Sequence, residues 1–129
     1  MKEGIIIIGH GSKLNFNKDI MELHAKRMRE KGFKNVYIGF NEMSSPLIEE
    51  TLEVMAADGI DTIYALPLFI ASGIHLTKDI PEKLGVPENG TRGSIKVKNR
   101  TMSVRYASPI GEDPRITDIL IEKVNNLKR

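Results

Sequence analysis

The feature that most constrains the fold is a run of four isoleucines, Ile5–Ile8, followed directly by the turn Gly9–Ser12, which contains His10. Isoleucine is β-branched and stiff at χ1, so several in a row favour a strand over a helix. A run this apolar is typical of a strand buried on both faces in a parallel sheet, and it is too short to span a membrane. The segment therefore predicts a parallel α/β sheet whose first strand ends beside a histidine.

The rest of the chain alternates between strand-like and helix-like segments. Strands are predicted at 35–40, 61–69 and 102–107, and helices at 17–30, 46–58, 76–84 and 114–127. Strands that alternate with helices pair in parallel through right-handed crossovers. This order therefore predicts an α/β fold with a doubly wound, mainly parallel four-stranded sheet and helices on both faces. Residues 1–129 are expected to form a single domain, in which the Gly-, Pro- and Lys/Arg-rich segment 85–101 is a mobile loop or an irregular hairpin.

Two of the helices carry patterns that predict specific contacts. In the first helix the apolar residues and one histidine share a face, which predicts that His24 is a hydrogen-bonded histidine in the core or at an interface. The residues of this face are Ile20, Met21, Leu23, His24 and Met28. In the second helix Ser45 is a suitable N-cap, and Pro46 suits the first helical position.

Composition excludes several classes of site. The chain has no cysteine, which removes disulfides, thiolate metal sites, cysteine-ligated iron–sulfur clusters and cysteine nucleophiles. Its net charge is only +2, and Lys and Arg alternate with Asp and Glu instead of forming the basic stripe of a nucleic-acid binder. No secretory segment or long apolar run is present, so a cytoplasmic location without a membrane partner is expected.

Two of the three histidines follow predicted strands. His10 follows the first strand, and His75 follows the third. In open α/β sheets, ligands bind outside the carboxyl ends of the strands where the strand order reverses, so both imidazoles are expected to face one crevice. A neutral imidazole binds divalent ions such as cobalt and nickel, and it can also accept a proton. Two histidines without a third protein ligand suit a metal in transit better than a permanent site.

Several short motifs, taken in their order, resemble one family. They are Gly9-His10-Gly11-Ser12, Ser44-Ser45-Pro46, Pro67-Leu68-Phe69, Gly73-Ile74-His75, Asp79-Ile80-Pro81, Pro109-Ile110-Gly111 and Asp113-Pro114-Arg115-Ile116. Together they resemble the small archaeal sirohydrochlorin chelatases, which are the short, CbiX-type members of the class II (ATP-independent) chelatases. The resemblance covers the chain except residues 85–100.

The resemblance implies a lyase that inserts a divalent metal into the tetrapyrrole sirohydrochlorin and releases two protons. The metal would be cobalt for cobalamin biosynthesis or nickel for the methanogen nickel tetrapyrrole. By the same resemblance, His10 would be metal ligand and proton acceptor, and His75 the second metal ligand. The tetrapyrrole site would be lined by Ser45, Ile70, Ala71, Ser72, Gly73, Ile74 and His75. A homodimer is implied, with no permanently bound cofactor and with Co²⁺ or Ni²⁺ as the substrate metal.

The residues alone leave two other functions open. A flavodoxin-like module would bind a phosphate or nucleotide with the Gly9–Ser12 loop at a helix N-terminus, although no P-loop motif is present. A non-catalytic metal carrier would use the same two histidines. Because two imidazoles barely discriminate cobalt, nickel and iron, the sequence leaves the physiological metal undecided.

Overall fold

The computed structural model describes all 129 residues, which form one open sheet with helices on both faces. The strands are β1 (Glu3–Gly9), β2 (Val36–Phe40), β3 (Thr62–Pro67), β4 (Arg92–Val97) and β5 (Arg100–Tyr106). The helices are α1 (Phe16–Glu30), α2 (Ile48–Ala57), α3 (Ile80–Leu84) and α4 (Pro114–Leu127), and a π-helical turn at His75–Asp79 leads directly into α3.

The sheet has five strands in the order β2-β1-β3-β5-β4. β1 pairs in parallel with both β2 and β3, β3 pairs in parallel with β5, and β4 is antiparallel to β5 at the edge. The crossovers from β1 to β2 and from β2 to β3 run in opposite directions, so the strand order reverses at β1. The predicted fold class, a doubly wound and mainly parallel sheet, is confirmed.

The predicted strand count is wrong by one, because the fifth strand lies in the segment that composition assigns to a loop. β4 and β5 form an antiparallel hairpin closed by Lys98 and Asn99, whose φ angles of 48° and 68° are both positive, as a type I′ turn requires. β4 is polar because it is the edge strand, with alternate residues exposed. Residues 92–97 are therefore strand. Of the two expectations for segment 85–101, the hairpin agrees with the structure and the loop does not.

The isoleucine run of β1 separates two hydrophobic clusters. Ile6 and Ile8 point to the face covered by α2 and α3, where they belong to the larger cluster of 16 buried residues. Ile7 points to the opposite face and packs with Met21 and Ala25 of α1. All three isoleucines are at most 5% exposed. β1 is thus a central strand buried on both faces, as its sequence predicts.

Helix α1 has two apolar faces rather than one. Met21 and Ala25 are buried against the sheet, whereas Ile20 and Leu23 are 51% and 42% exposed. His24 is exposed as well, so the prediction of a core histidine is wrong, and its interface alternative stays a prediction. Met21 and Ala25 are spaced one helical turn apart and meet the sheet together, which turns the Ile20 side of the helix towards solvent.

Helix α2 begins at Ile48, later than the sequence predicts. Leu47 has extended backbone angles and is the N-cap, and its N–H donates to Oε1 of Glu50 at 2.8 Å. The predicted cap at Ser45 is therefore wrong, and Pro46, which follows a cis Ser45–Pro46 peptide bond, lies before the helix.

Helix α4 differs from the others because none of its residues is buried. Neither α4 nor any other helix combines the length and apolar composition that a membrane crossing requires.

Candidate metal centre

Three loops meet at the carboxyl ends of the central strands. His10 directly follows β1, Glu42 lies just after β2, and His75 begins the π-helical turn beyond β3. These ends lie together because the three strands are parallel neighbours in the sheet. The structure thus brings His10 and His75 to one edge, together with a carboxylate.

Backbone contacts hold Glu42 beside His10. The N–H of Asn41 donates to the carbonyl of Gly9 at 2.9 Å, and the N–H of Glu42 donates to the carbonyl of His10 at 3.0 Å. Gly11 permits this close approach, because a Cβ atom there would lie 1.5 Å from the carbonyl oxygen of Glu42, and its φ is +106°. Only glycine fits this position.

A serine side chain ties the same two loops together further along. The hydroxyl of Ser44 accepts from the N–H of Ser12 at 2.9 Å and donates to the carbonyl of Ser12 at 2.8 Å. The neighbouring Ser45, which the family resemblance assigns to the tetrapyrrole site, is exposed on the same loop. Backbone and side-chain bonds together therefore set the separation of the loops that carry His10 and Glu42.

Three side chains form a compact cluster of nitrogen and oxygen donors. Nε2 of His10 lies 3.3 Å from Oε1 of Glu42, and the ring centroids of His10 and His75 are 4.8 Å apart. One ligand atom from each of the three residues lies within 4.8 Å of the other two. Phe69 stands nearly perpendicular to the His10 ring, with centroids 6.3 Å apart, and restricts its position. The side chains are 40% to 51% exposed, so a divalent cation can reach them from solvent.

The second ring nitrogen of His75 sets the orientation of its imidazole. Nδ1 lies 2.8 Å from Oδ2 of Asp79 and 3.4 Å from Nδ2 of Asn41. A ring nitrogen cannot donate to the carboxylate and accept from the amide at once, and the shorter contact assigns the proton to Nδ1. Nε2 then keeps its lone pair for a metal ion. A carboxylate behind a metal-binding histidine commonly plays this role.

An exposed ledge, residues 70–74, lies between β3 and the π-helical turn. Ile70 and Ile74 are 64% and 62% exposed, and the three residues between them also face solvent. A Cβ atom at Gly73 would meet no atom within 4 Å, so the fold itself does not require a glycine there. The ledge therefore offers apolar side chains and bare backbone to a flat ligand beside the imidazoles.

A cleft of about 500 Å³ opens beside His75. The ammonium of Lys83 donates to the carbonyl of Asn41 at 2.7 Å and lies 3.8 Å from Oε1 of Glu49, which fixes its position. Carboxylates outnumber this one lysine in the walls, so the cleft favours the approach of a cation. The lining residues are Asn41, Glu42, His75, Asp79, Glu82 and Lys83.

Sequence reasoning finds two of the three clustered donors and misses Glu42. In the sequence Glu42 is one of many surface-like glutamates, but it lies two residues after the end of β2, and His10 lies one residue after the end of β1. The feature that could have indicated Glu42 is its position at the carboxyl end of a strand next to β1. Asp79 carries a similar signal, because it lies four residues after His75 and can contact it within one helical turn.

An open parallel sheet with two histidines and a carboxylate at the ends of its central strands defines an α/β protein with a candidate divalent-metal site. The chain matches the model of the CbiX family over residues 4–127. It is 40% identical over 124 residues to the sirohydrochlorin cobaltochelatase of Methanosarcina barkeri, covering 95% of each chain. It is 34% identical over 122 residues to that of Saccharolobus solfataricus, covering 95% and 93%. The chain therefore belongs to the CbiX family, as its motifs predict.

Solved structures share the fold. A cobalamin (vitamin B12) biosynthesis CbiX protein from Marinobacter aquaeolei matches with a TM-score of 0.72 and 25% identity over the full length of both chains. The sirohydrochlorin chelatase SirB from Bacillus subtilis subspecies spizizenii, in complex with cobalt, matches with a TM-score of 0.77 and 23% identity. That match covers 98% of this chain and 51% of SirB. The fold of this chain therefore corresponds to about half the length of SirB.

Proposed function

We propose that this chain is an ATP-independent sirohydrochlorin chelatase, a lyase that inserts Co²⁺ or Ni²⁺ into sirohydrochlorin and releases two protons. Relatives that are 30% to 40% identical over nearly the whole chain carry the name sirohydrochlorin cobaltochelatase. For this chain the proposal depends on one observation, the cluster of His10, Glu42 and His75 at an open edge of the sheet. The metal is a substrate, and no permanently bound cofactor is part of the proposal.

The three clustered side chains bind the incoming ion. Three protein ligands with further positions open are typical of catalytic sites, whereas closed structural sites have four. The carboxylate of Glu42 adds a negative charge that two neutral imidazoles lack, which strengthens the attraction for a divalent cation. This set holds the ion until the nitrogens of the macrocycle replace the protein ligands.

His10 has a second role as proton acceptor. The macrocycle loses two N–H protons as the metal enters, so a base near the metal assists the reaction. When the ion moves from Nε2 of His10 to a ring nitrogen, that imidazole lone pair becomes free and can take one of the leaving protons. The second proton passes to solvent, to which the cluster is open. The carboxylate of Glu42, 3.3 Å away, stabilises the resulting imidazolium.

The macrocycle lies on the ledge next to the metal ligands. Ile70 and Ile74 supply apolar contact, and the small residues at 71–73 let a flat ring approach the backbone. The other residues assigned to this surface are Ser45 on the facing loop and His75 itself. The exposed ammonium groups of Lys13 and Lys78 are available to the carboxylates of the ring. Holding the ring above the bound ion converts a bimolecular encounter into a positioned one.

The active form is a homodimer of a single-domain chain. The open apolar faces of α1 and α4 support this part of the proposal, because exposed apolar surface on this scale commonly marks an interface.

The test is the change in the absorption spectrum of sirohydrochlorin after Co²⁺ or Ni²⁺ is added, without ATP, against a protein-free control. We expect the protein to accelerate the change with at least one of the two metals. Metal binding without acceleration would leave the carrier alternative. If the protein neither binds the metal nor accelerates the spectral change, the phosphate-binding module remains as the alternative. The names of the relatives do not favour it.

A further inference from the structure

The turn that carries His75 is joined only weakly to the loop that carries Glu42. Backbone bonds hold Glu42 beside His10, because the N–H groups of Asn41 and Glu42 donate to the carbonyls of Gly9 and His10. The π-helical turn has no backbone hydrogen bond to either of these loops, and it follows the exposed ledge. The separation of His75 from the other two donors therefore depends on side chains.

Two side-chain contacts connect the turn and α3 to the loop of Glu42. One is the 3.4 Å contact between Nδ2 of Asn41 and Nδ1 of His75, which is long for a hydrogen bond. The other runs from Nζ of Lys83, in α3, to the carbonyl oxygen of Asn41 at 2.7 Å. Hydrogen bonds with an ionised donor are the stronger kind. Lys83 thus supplies the main hydrogen bond between these two segments.

The surroundings of Lys83 keep this bond in one place. Its side chain is only 29% exposed, and Oε1 of Glu49, in α2, lies 3.8 Å from the ammonium. The acceptor is also fixed, since Asn41 is 6% exposed and its own N–H is bonded to Gly9. A half-buried ammonium on a fixed carbonyl holds its geometry better than an ion pair that is open to water.

Electrostatics alone would not favour a lysine at this position. Lys83 lines the cleft of about 500 Å³ beside His75, in which the other charged residues are carboxylates. A positive charge in this wall opposes the attraction of the carboxylates for a divalent cation. Its bond to the carbonyl of Asn41 gives the lysine a role that its charge does not.

We propose that Lys83 is a positioning residue that holds the turn of His75 against the loop of Glu42 at the separation a shared metal ion requires. This role rests on the proposed function, because it takes the three clustered donors as metal ligands. Lys83 does not contact the ion and acts through the main chain of Asn41. Ligands that are held together before the ion arrives bind it more tightly, since less ordering accompanies binding.

The sign of the change in metal affinity tests this role. Lys83→Met keeps an unbranched apolar side chain and removes both the charge and the donor. We expect the Kd for Co²⁺, titrated by calorimetry without tetrapyrrole, to rise about tenfold, as when outer partners of metal ligands are lost. An effect of charge alone would lower the Kd, because a cation has been removed. Lys83→Arg keeps the charge and the donor and should recover most of the affinity.

Lys98→Met is the matched control. Nζ of Lys98 lies 3.7 Å from Oε2 of Glu53 in α2, much as Lys83 lies beside Glu49 in the same helix. Lys98 belongs to the hairpin turn before β5, at the opposite edge of the sheet from the cluster. Removal of its charge should leave the Kd for Co²⁺ unchanged. Urea midpoints check the fold, which Lys83→Met should retain because the apolar side of α3 stays in the core.

In the insertion assay, Lys83→Met should raise the metal concentration for the half-maximal rate and change the rate at saturating metal less. A Kd for Co²⁺ that is unchanged or lower in Lys83→Met would overturn the positioning role. A Lys83→Arg protein that binds as weakly as Lys83→Met would overturn it too. A wild type that binds Co²⁺ without accelerating insertion would contradict the chelatase proposal alone, whereas a wild type that binds no Co²⁺ would contradict both.

Discussion

Nε2 of His10 lies 3.3 Å from Oε1 of Glu42, although the two residues follow different strands. The contact depends on the parallel pairing of β1 and β2, which continues beyond the strands through the bonds of Asn41 and Glu42 to Gly9 and His10. The sheet itself therefore positions two of the three clustered donors. The remaining donor, His75, begins the π-helical turn beyond β3, the strand on the other side of β1.

His10→Ala should abolish most metal insertion while leaving the fold intact. We expect the rate to fall by about 10²-fold or more, the usual contribution of a positioned proton acceptor, because the change also removes a proposed metal ligand. The measurement is the initial rate of the spectral change of sirohydrochlorin, with far-UV circular dichroism as the check on folding. His24→Ala, which removes an exposed histidine of α1, is the matched control. A His10→Ala protein at the wild-type rate would refute the role of His10.

Glu42→Gln should raise the metal concentration needed for the half-maximal rate, with a smaller effect on the rate at saturating metal. The amide keeps the size of the side chain but removes the negative charge from the cluster. We expect the metal concentration for half-maximal rate to rise at least about tenfold, since even outer partners of metal ligands contribute 10–100-fold in affinity. Glu22→Gln changes an exposed glutamate of α1 and serves as control. Equal saturation curves for the two variants would exclude Glu42 as a ligand.

The proposed binding of the metal by His75 gives Asp79 a positioning role, and the effect of Asp79 should then depend on its hydrogen bond to His75 rather than on charge alone. Asp79→Ala removes the acceptor that lies 2.8 Å from Nδ1 of His75, and we expect metal affinity to fall about 10–100-fold. Asp79→Asn should recover part of this loss, because the amide oxygen can still accept from Nδ1–H. The insertion rate, measured as a function of metal concentration, distinguishes the wild type, Asp79→Ala and Asp79→Asn. A purely structural residue would alter the urea midpoint and leave metal affinity unchanged.

The parts of the fold that sequence predicts are those with a strong local pattern. The isoleucine run specifies a strand buried on both faces, and the position of a histidine directly after such a strand specifies the edge at which it lies. β4 has no comparable pattern, because an edge strand with one solvated face reads as a polar loop. Its only local signal is the pair Lys98 and Asn99, where asparagine is common in hairpin turns.

The missed features depend on contacts between distant segments. Glu42 joins the cluster because Gly11 lets the two loops touch, and no local pattern reports that approach. The face that α1 buries depends on which side meets the sheet. Ile20 and Leu23 belong to the apolar face that the sequence predicts, yet they are exposed in the single chain. A pattern of apolar residues thus predicts that a surface will be covered without saying whether the same chain covers it.

Gly11→Ala should destabilise the fold more than a glycine replacement with the same backbone angle elsewhere. Gly11 and Gly32 have φ values of +106° and +107°, but an added Cβ would lie 1.5 Å from the carbonyl oxygen of Glu42 at Gly11 and would meet nothing within 4 Å at Gly32. Gly32→Ala should cost about 1–2 kcal/mol from the backbone conformation alone. Gly11→Ala carries the same cost plus the clash, and the loop shift that relieves it should also slow metal insertion. Equal urea midpoints for the two variants would contradict the close contact.

The phenol of Tyr106 should make the fold sensitive to alkali. Tyr106 is 8% exposed and donates to the carbonyl of Leu76 at 2.9 Å, which connects β5 to the turn that carries His75. Burial raises the pKa of Tyr106 to about 12. The folded state therefore retains a proton that the unfolded chain loses near pH 10. Its contribution to stability is complete below about pH 10 and is lost as the pH rises towards 12.

Tyr106→Phe removes both the hydrogen bond and this titration. At pH 8 we expect the variant to be less stable than the wild type by about 1 kcal/mol, the usual net value of one hydrogen bond. Between pH 10 and 12 its stability should fall less than that of the wild type, so the two curves approach each other. Some decline remains, because burial and Asp58 also raise the pKa of Tyr37 to about 12. Urea unfolding across this pH range measures the difference, and parallel curves would show that Tyr106 ionises as readily in the folded chain as in the unfolded one.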